Sequence, residues 1–175
     1  MSTALLVPDA REPIGYPVSV KKMAIMHVAT LGLYDLYWAY RNFTNLYNPQ
    51  RSPVIRGIFA VFISISFYGM LKRLQELARH IGHPLRLNAA VLGAAFFLIN
   101  FLPGRFMNDV PVIVYLIPPA VAAIPLCIAQ AKINELNAAT RPTRLDNNFS
   151  AADWVGVGIG ALFWLLTIIV TVLPP

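Results

Sequence analysis

The stretch M-A-I-M-H-V-A-T-L-G-L-Y-D-L-Y-W-A, residues 23 to 39, is apolar except for His27, Thr30 and Asp35. Seventeen residues of helix reach roughly 26 Å, slightly less than the ~30 Å hydrocarbon core of a bilayer. Four further apolar runs follow it, each bounded by charge or by Pro and Gly: Val54–Leu71, Leu87–Leu102, Val110–Ala129 and Val155–Leu173. The chain has 175 residues, 57% of them apolar and only 13% charged, against ~25% charged in ordinary soluble domains. About 100 apolar residues are enough for five helices of ~20. The expected fold is all-α, a polytopic membrane helix bundle of about five transmembrane helices, with helices two and four extending into the cytoplasm. Residues 1–20 read as an N-terminal cytoplasmic tail and 21–175 as a single transmembrane domain.

Pro8, Pro13 and Pro17 interrupt the first twenty residues, and no basic segment precedes an apolar one there, so a cleavable signal peptide is not expected. The positive-inside rule sets orientation. With the N-terminus inside, Arg11, Lys21, Lys22, Lys72, Arg73, Arg79, Arg86, Lys132, Arg141 and Arg144 lie inside, and Arg41, Arg51, Arg56 and Arg105 outside. A re-entrant first run would even this ten-to-four split to seven and seven, so five full spans are preferred. The net charge of +6 is spread over every loop and lacks the basic–aromatic interleaving of a nucleic-acid groove.

Asp35 is the one acid inside an apolar run, and an intramembrane ionisable group is a functional candidate by default. Its expected partner is Arg56, in an ion pair closing the first hairpin. His27 lies eight residues earlier, about 80° away on a helix. Thr30, Ser64, Ser66, Asn88 and Asn100 are further polar intramembrane candidates, best read as interhelical hydrogen bonds. Pro118, Pro119 and Pro125 point to a kinked or discontinuous fourth helix. Ala152, Gly156 and Gly160 form a small-residue face for close helix approach, behind a capping-box-like Ser150–Asp153 start.

Arg73–Leu77 and Lys132–Leu136 share an [RK]-[LI]-[QN]-E-L pattern at an offset of 59 residues, a candidate duplication. His80-Ile81-Gly82-His83 spells a synthetase-like tetrapeptide without the nucleotide-binding domain it needs. The single Cys127 and the absence of a ligand cluster leave no expected metal or cofactor. Triad, phosphate-loop and zincin motifs are missing, which leans against an enzyme.

The segment Tyr16-Pro17-Val18-Ser19…Lys21…Thr30-Leu31-Gly32-Leu33-Tyr34-Asp35-Leu36-Tyr37-Trp38, with Arg56-Gly57-Ile58-Phe59 after it, resembles small bacterial inner-membrane proteins classed as domains of unknown function. The likeness covers about residues 16 to 71. It implies a bacterial cytoplasmic (inner) membrane location and no particular activity. The expected partners are the lipid bilayer and a membrane-protein partner or a second copy of the chain. The leading functional expectation is an accessory or assembly subunit of a membrane complex. The alternative is a transport or channel subunit using Asp35, His27 and the fourth helix.

Overall fold

The computed structural model describes residues 13–47, 53–101, 114, 117–140 and 143–172. Arg11, Arg51, Arg105, Asp109, Arg141 and the opening of the fourth apolar run lie outside the described residues, as does the Pro119 side chain. Among the described residues the chain is all-helical. The helices are α1 (Val20–Ala29), α2 (Leu33–Leu46), α3 (Pro53–Val61), α4 (Ile63–His80), α5 (Ala89–Phe101), α6 (Ile117–Thr140) and α7 (Ala151–Val172). Among the described residues the only strand-like pairing is an isolated parallel bridge between Val18 and Asp146.

The first apolar run is not one helix. Thr30 ends α1, Leu31 and Gly32 both take positive φ (51° and 85°), and α2 begins at Leu33. Gly32 N–H donates to His27 C=O at 2.8 Å and Leu31 N–H to Val28 C=O at 3.3 Å. These are the paired bonds of a Schellman motif, with leucine where glycine usually stands. Thr30 Oγ1 donates to Met26 C=O and accepts from Tyr34 N–H, tying the two helices across the break. The chain then doubles back. Tyr16 N–H donates to Asn42 Oδ1 at 3.0 Å, whereas a continuous helix would hold residues 26 apart about 39 Å from each other.

The second run is also broken. α3 and α4 meet at 112° around Phe62, and Ser66 Oγ donates across the bend to Phe59 and Phe62 carbonyls. The fourth run behaves in the opposite way: α6 continues through Pro125 without interruption. Pro125 therefore does not break its helix, and the breaks seen among the described residues lie in the first two runs, at Thr30–Gly32 and Phe62. Only Ala151–Val170 of α7 is, among the described residues, a single helix long and apolar enough to cross a membrane. The bent α3–α4 pair would add a second if counted as one span.

α1 packs on α6 and α7, α2 on α3 and α4, and α5 bridges α4 and α6. Trp38, Phe67 and Phe96 form an aromatic line through the centre, with ring centroids 6.3 and 4.7 Å apart. α4 and α6 both continue past their apolar parts. At the matched repeat positions Leu74, Leu77, Ile133 and Leu136 are all buried, and each glutamate pairs with the base three residues before it (Arg73–Glu76, Lys132–Glu135). Lys132 also holds the Glu135 carboxyl below its ordinary pKa. The two extensions meet where His83 Nε2 lies 3.5 Å from Glu135.

The small-residue face of α7 turns toward α1. A Cβ on Gly160 would fall 1.9 Å from Ala29 O and 2.7 Å from Thr30 Cα, whereas one on Gly158 meets nothing within 4 Å. Gly160→Ala must therefore push α7 off the α1 terminus, at a cost of about 1–3 kcal/mol. Gly158→Ala is expected to be neutral or stabilising by up to ~1 kcal/mol through helix propensity. Unfolding of the two variants in detergent checks this ordering.

Candidate functional site

The reversal at Thr30–Gly32 places the last turn of α1 against the first turn of α2. His27 and Asp35 therefore face each other directly. His27 Nδ1 lies 2.9 Å from both Asp35 carboxylate oxygens, and the two residues are only 2% and 6% exposed. A buried carboxylate without a donor would be costly. Here the imidazole N–H supplies the bond, and an imidazole–carboxylate pair is a group that can hold or release a proton.

The pair borders a cavity of about 230 Å³, whose lining includes Ser64 at the start of α4 and Asn100 at the end of α5. Leu31, Gly32, Ile63 and Phe96 complete much of the wall. Both chain breaks thus contribute to one space. Asn100 Nδ2 donates to Phe96 C=O within its own helix, leaving its side-chain oxygen as an acceptor there.

Arg56 is elsewhere. Its guanidinium lies over the Tyr40 ring at 5.6 Å, and its buried Nε has no hydrogen-bond partner among the described residues. The expected Asp35–Arg56 pair is absent from the ion pairs of the described residues, because the fold-back of α2 gives Asp35 a nearer partner in His27. Of the other polar candidates, Thr30 closes the break, Ser66 spans the α3–α4 bend, and Asn88 Oδ1 accepts from Val91 N–H at the start of α5. Gly156 lies beside Met26 and Thr30, and Ala152 lines a second cavity between the first hairpin and α7.

A larger polar cluster was not anticipated from the sequence. Gln130, Asn134 and Asn137 occupy one face of α6, at spacings of four and three residues, and receive the extended segment 15–18. Gln130 Nε2 donates to the carbonyls of Tyr16 and Val18, and Asn134 Nδ2 donates to that of Val18. Asn137 pairs with Gly15 through both its amide groups, while Trp38 Nε1 donates to Gln130 Oε1. The helical spacing of these amides was the available signal.

Lys22 forms the other half of the cluster. Its buried ammonium donates to Asp146 at 2.9 Å, to Asp153 at 2.8 Å and to Asn148 C=O at 2.6 Å. Burial opposes the charge, but the bonds to Asp153 and Asp146 outweigh it and raise the Lys22 pKa. Ser150 and Asp153 cap α7 reciprocally. Among the described residues no group of three His, Cys, Asp or Glu could hold a metal ion.

Neither a family model, nor a curated protein, nor a solved structure matches the chain.

The His27–Asp35 contact predicts energetic coupling. Asp35→Leu removes the carboxylate from His27, and His27→Leu strands a buried carboxylate, each at about 3–5 kcal/mol. The double variant should cost less than the sum by about 1–3 kcal/mol. Strictly additive costs in detergent unfolding would contradict a direct bond.

Proposed function

We propose that this chain is a small polytopic inner-membrane protein that binds and passes a proton or small cation at His27–Asp35, as a subunit of a transport assembly. The observation that carries the reading is the meeting of both chain breaks at one cavity lined by His27, Asp35, Ser64 and Asn100. Helix interruptions inside membranes are tolerated where they line a cavity, and transporters place ion sites at such interruptions.

The topology that fits this reading has three crossing runs, the third, fourth and fifth. The first two enter and leave on the same side as hairpins. Contacts of Tyr16 with Asn42 and of His83 with Glu135 favour that arrangement, since they draw the ends of α2, α4 and α6 together. Every basic residue in the sequence except Arg105 then falls on the N-terminal side. That is thirteen against one, a sharper asymmetry than ten against four. The N-terminus stays inside and the C-terminus outside.

Depth agrees with the site assignment. The contact of Gly160 with Ala29 lies nine residues into α7, or about 14 Å from its start. That is close to the middle of a ~30 Å core. A titratable pair at this depth is expensive to maintain, which favours a role beyond packing.

An accessory subunit would offer a partner the α4 and α6 extensions and the small-residue face of α7, in a chain without a buried charged site. The buried face of the α4 extension is taken up within the chain by α5 and α2, that of α6 by segment 15–18, and Gly156 and Gly160 of α7 by α1 and Thr30, so that reading has less support than ion binding.

Vesicles carrying the purified chain should show proton or alkali-cation flux above protein-free vesicles, measured with an entrapped indicator. Asp35→Asn should reduce that flux at least tenfold while the unfolding midpoint stays within a few degrees. Undiminished flux in Asp35→Asn, or wild-type flux no greater than in empty vesicles, would sink the proposal.

A further inference from the structure

A second cavity, of about 500 Å³, lies between the α1–α2 hairpin and the start of α7. Its polar wall is made by Tyr16, Tyr34, Tyr37, Asp146, Ser150 and Asp153, and Met26, Leu33 and Ile159 contribute an apolar side. The three tyrosine rings stand at angles to one another, Tyr16–Tyr37 at 5.8 Å and Tyr34–Tyr37 at 5.9 Å between centroids. Aromatic faces grouped in this way attract cations.

Two observations indicate that the cavity has unspent capacity for a hydrogen-bonding ligand. Tyr34 is 6% exposed, and its buried hydroxyl lies beside that of Tyr16 but makes no well-formed hydrogen bond among the described residues. Leaving such a group unsatisfied costs about 1–3 kcal/mol. The bonds to Asp146 from Tyr16 and Lys22, and those to Asp153 from Ser150 and Lys22, all end on the Oδ2 atom. Among the described residues each carboxylate therefore retains Oδ1 as an acceptor. One lysine against two aspartates also leaves this wall with one net negative charge.

A cation fits this wall better than an anion does, and one that donates hydrogen bonds fits best. Just beyond it, the Arg41 guanidinium lies 5.0 Å over the Tyr16 ring and 5.9 Å over the Tyr37 ring, exposed and without an acidic partner among the ion pairs described. A positive group beside a negative cavity matches a zwitterion. We propose that this cavity binds a primary ammonium group, carried by an aminophospholipid headgroup whose phosphate rests on Arg41 or by a free small amine. The ammonium donates to the Tyr34 hydroxyl and the free carboxylate oxygens. The site is separate from His27–Asp35 and stands whether or not that pair passes ions.

The full chain in detergent is tested by native mass spectrometry with phosphatidylethanolamine, phosphatidylcholine and phosphatidylglycerol, and by calorimetry with ethanolamine. Phosphatidylethanolamine should be retained about tenfold over the other two, which cannot donate from a primary ammonium. Tyr34→Phe, which removes one oxygen and leaves the ring, should weaken ethanolamine and phosphatidylethanolamine alike by about fivefold. Arg41→Gln should weaken the lipid and spare ethanolamine. Binding of ethanolamine without lipid preference assigns the free amine as the source and upholds the ammonium site. Equal retention of all three lipids with no ethanolamine binding overturns the proposal, and so does a Tyr34→Phe variant that binds as wild type.

Discussion

The two successive left-handed residues Leu31 and Gly32 bring together the buried polar groups His27, Thr30, Asp35, Asn42 and Gln130. A left-handed leucine costs roughly 1–2 kcal/mol, and the Schellman bonds to His27 and Val28 offset that cost only locally. The rest comes from what the reversal makes reachable. Thr30 bonds to both helices, Trp38 reaches Gln130, and Asn42 holds the Tyr16 amide. A straight first helix would break these contacts and separate His27 from Asp35.

The segment before α1 acts as a wedge with its backbone spoken for. Its carbonyls and amides meet the side-chain amides of α6, while Ser19 N–H and Pro17 C=O pair with the backbone of Asp146. Gly15 has no room for a side chain, since a Cβ there would lie 2.5 Å from Ile133. Lys22 then fastens the start of α1 to the loop preceding α7. Burying that ammonium is tolerable only because two carboxylates and a carbonyl surround it. Through these bonds the hairpin, α6 and α7 share one polar junction, and the apolar helices pack outward from it.

The sequence conveyed helix more readily than direction. The end of α4 was legible because Gly82 stands at the left-handed position of its terminating motif, with φ of 77°. α1 uses the same motif, but leucine occupies that position and glycine follows it, so T-L-G passes for the middle of an apolar helix. Pro125 removes one donor without ending its helix, since α6 continues through it. The polar candidates His27, Asp35, Ser64 and Asn100 were visible individually. Their convergence was not, because the first two lie about 80° apart on a straight helix and face each other only after the chain turns back. Pairing Asp35 with Arg56 presupposes that same straight-helix geometry.

The reversal can be measured directly by pulsed electron paramagnetic resonance between spin labels at Pro17→Cys and Asn45→Cys, with Cys127 replaced by serine. The folded-back hairpin predicts a distance distribution centred below about 25 Å, because Tyr16 and Asn42 are in hydrogen-bond contact. A single continuous helix would centre it near 40 Å at ~1.5 Å per residue, and that result would contradict the account.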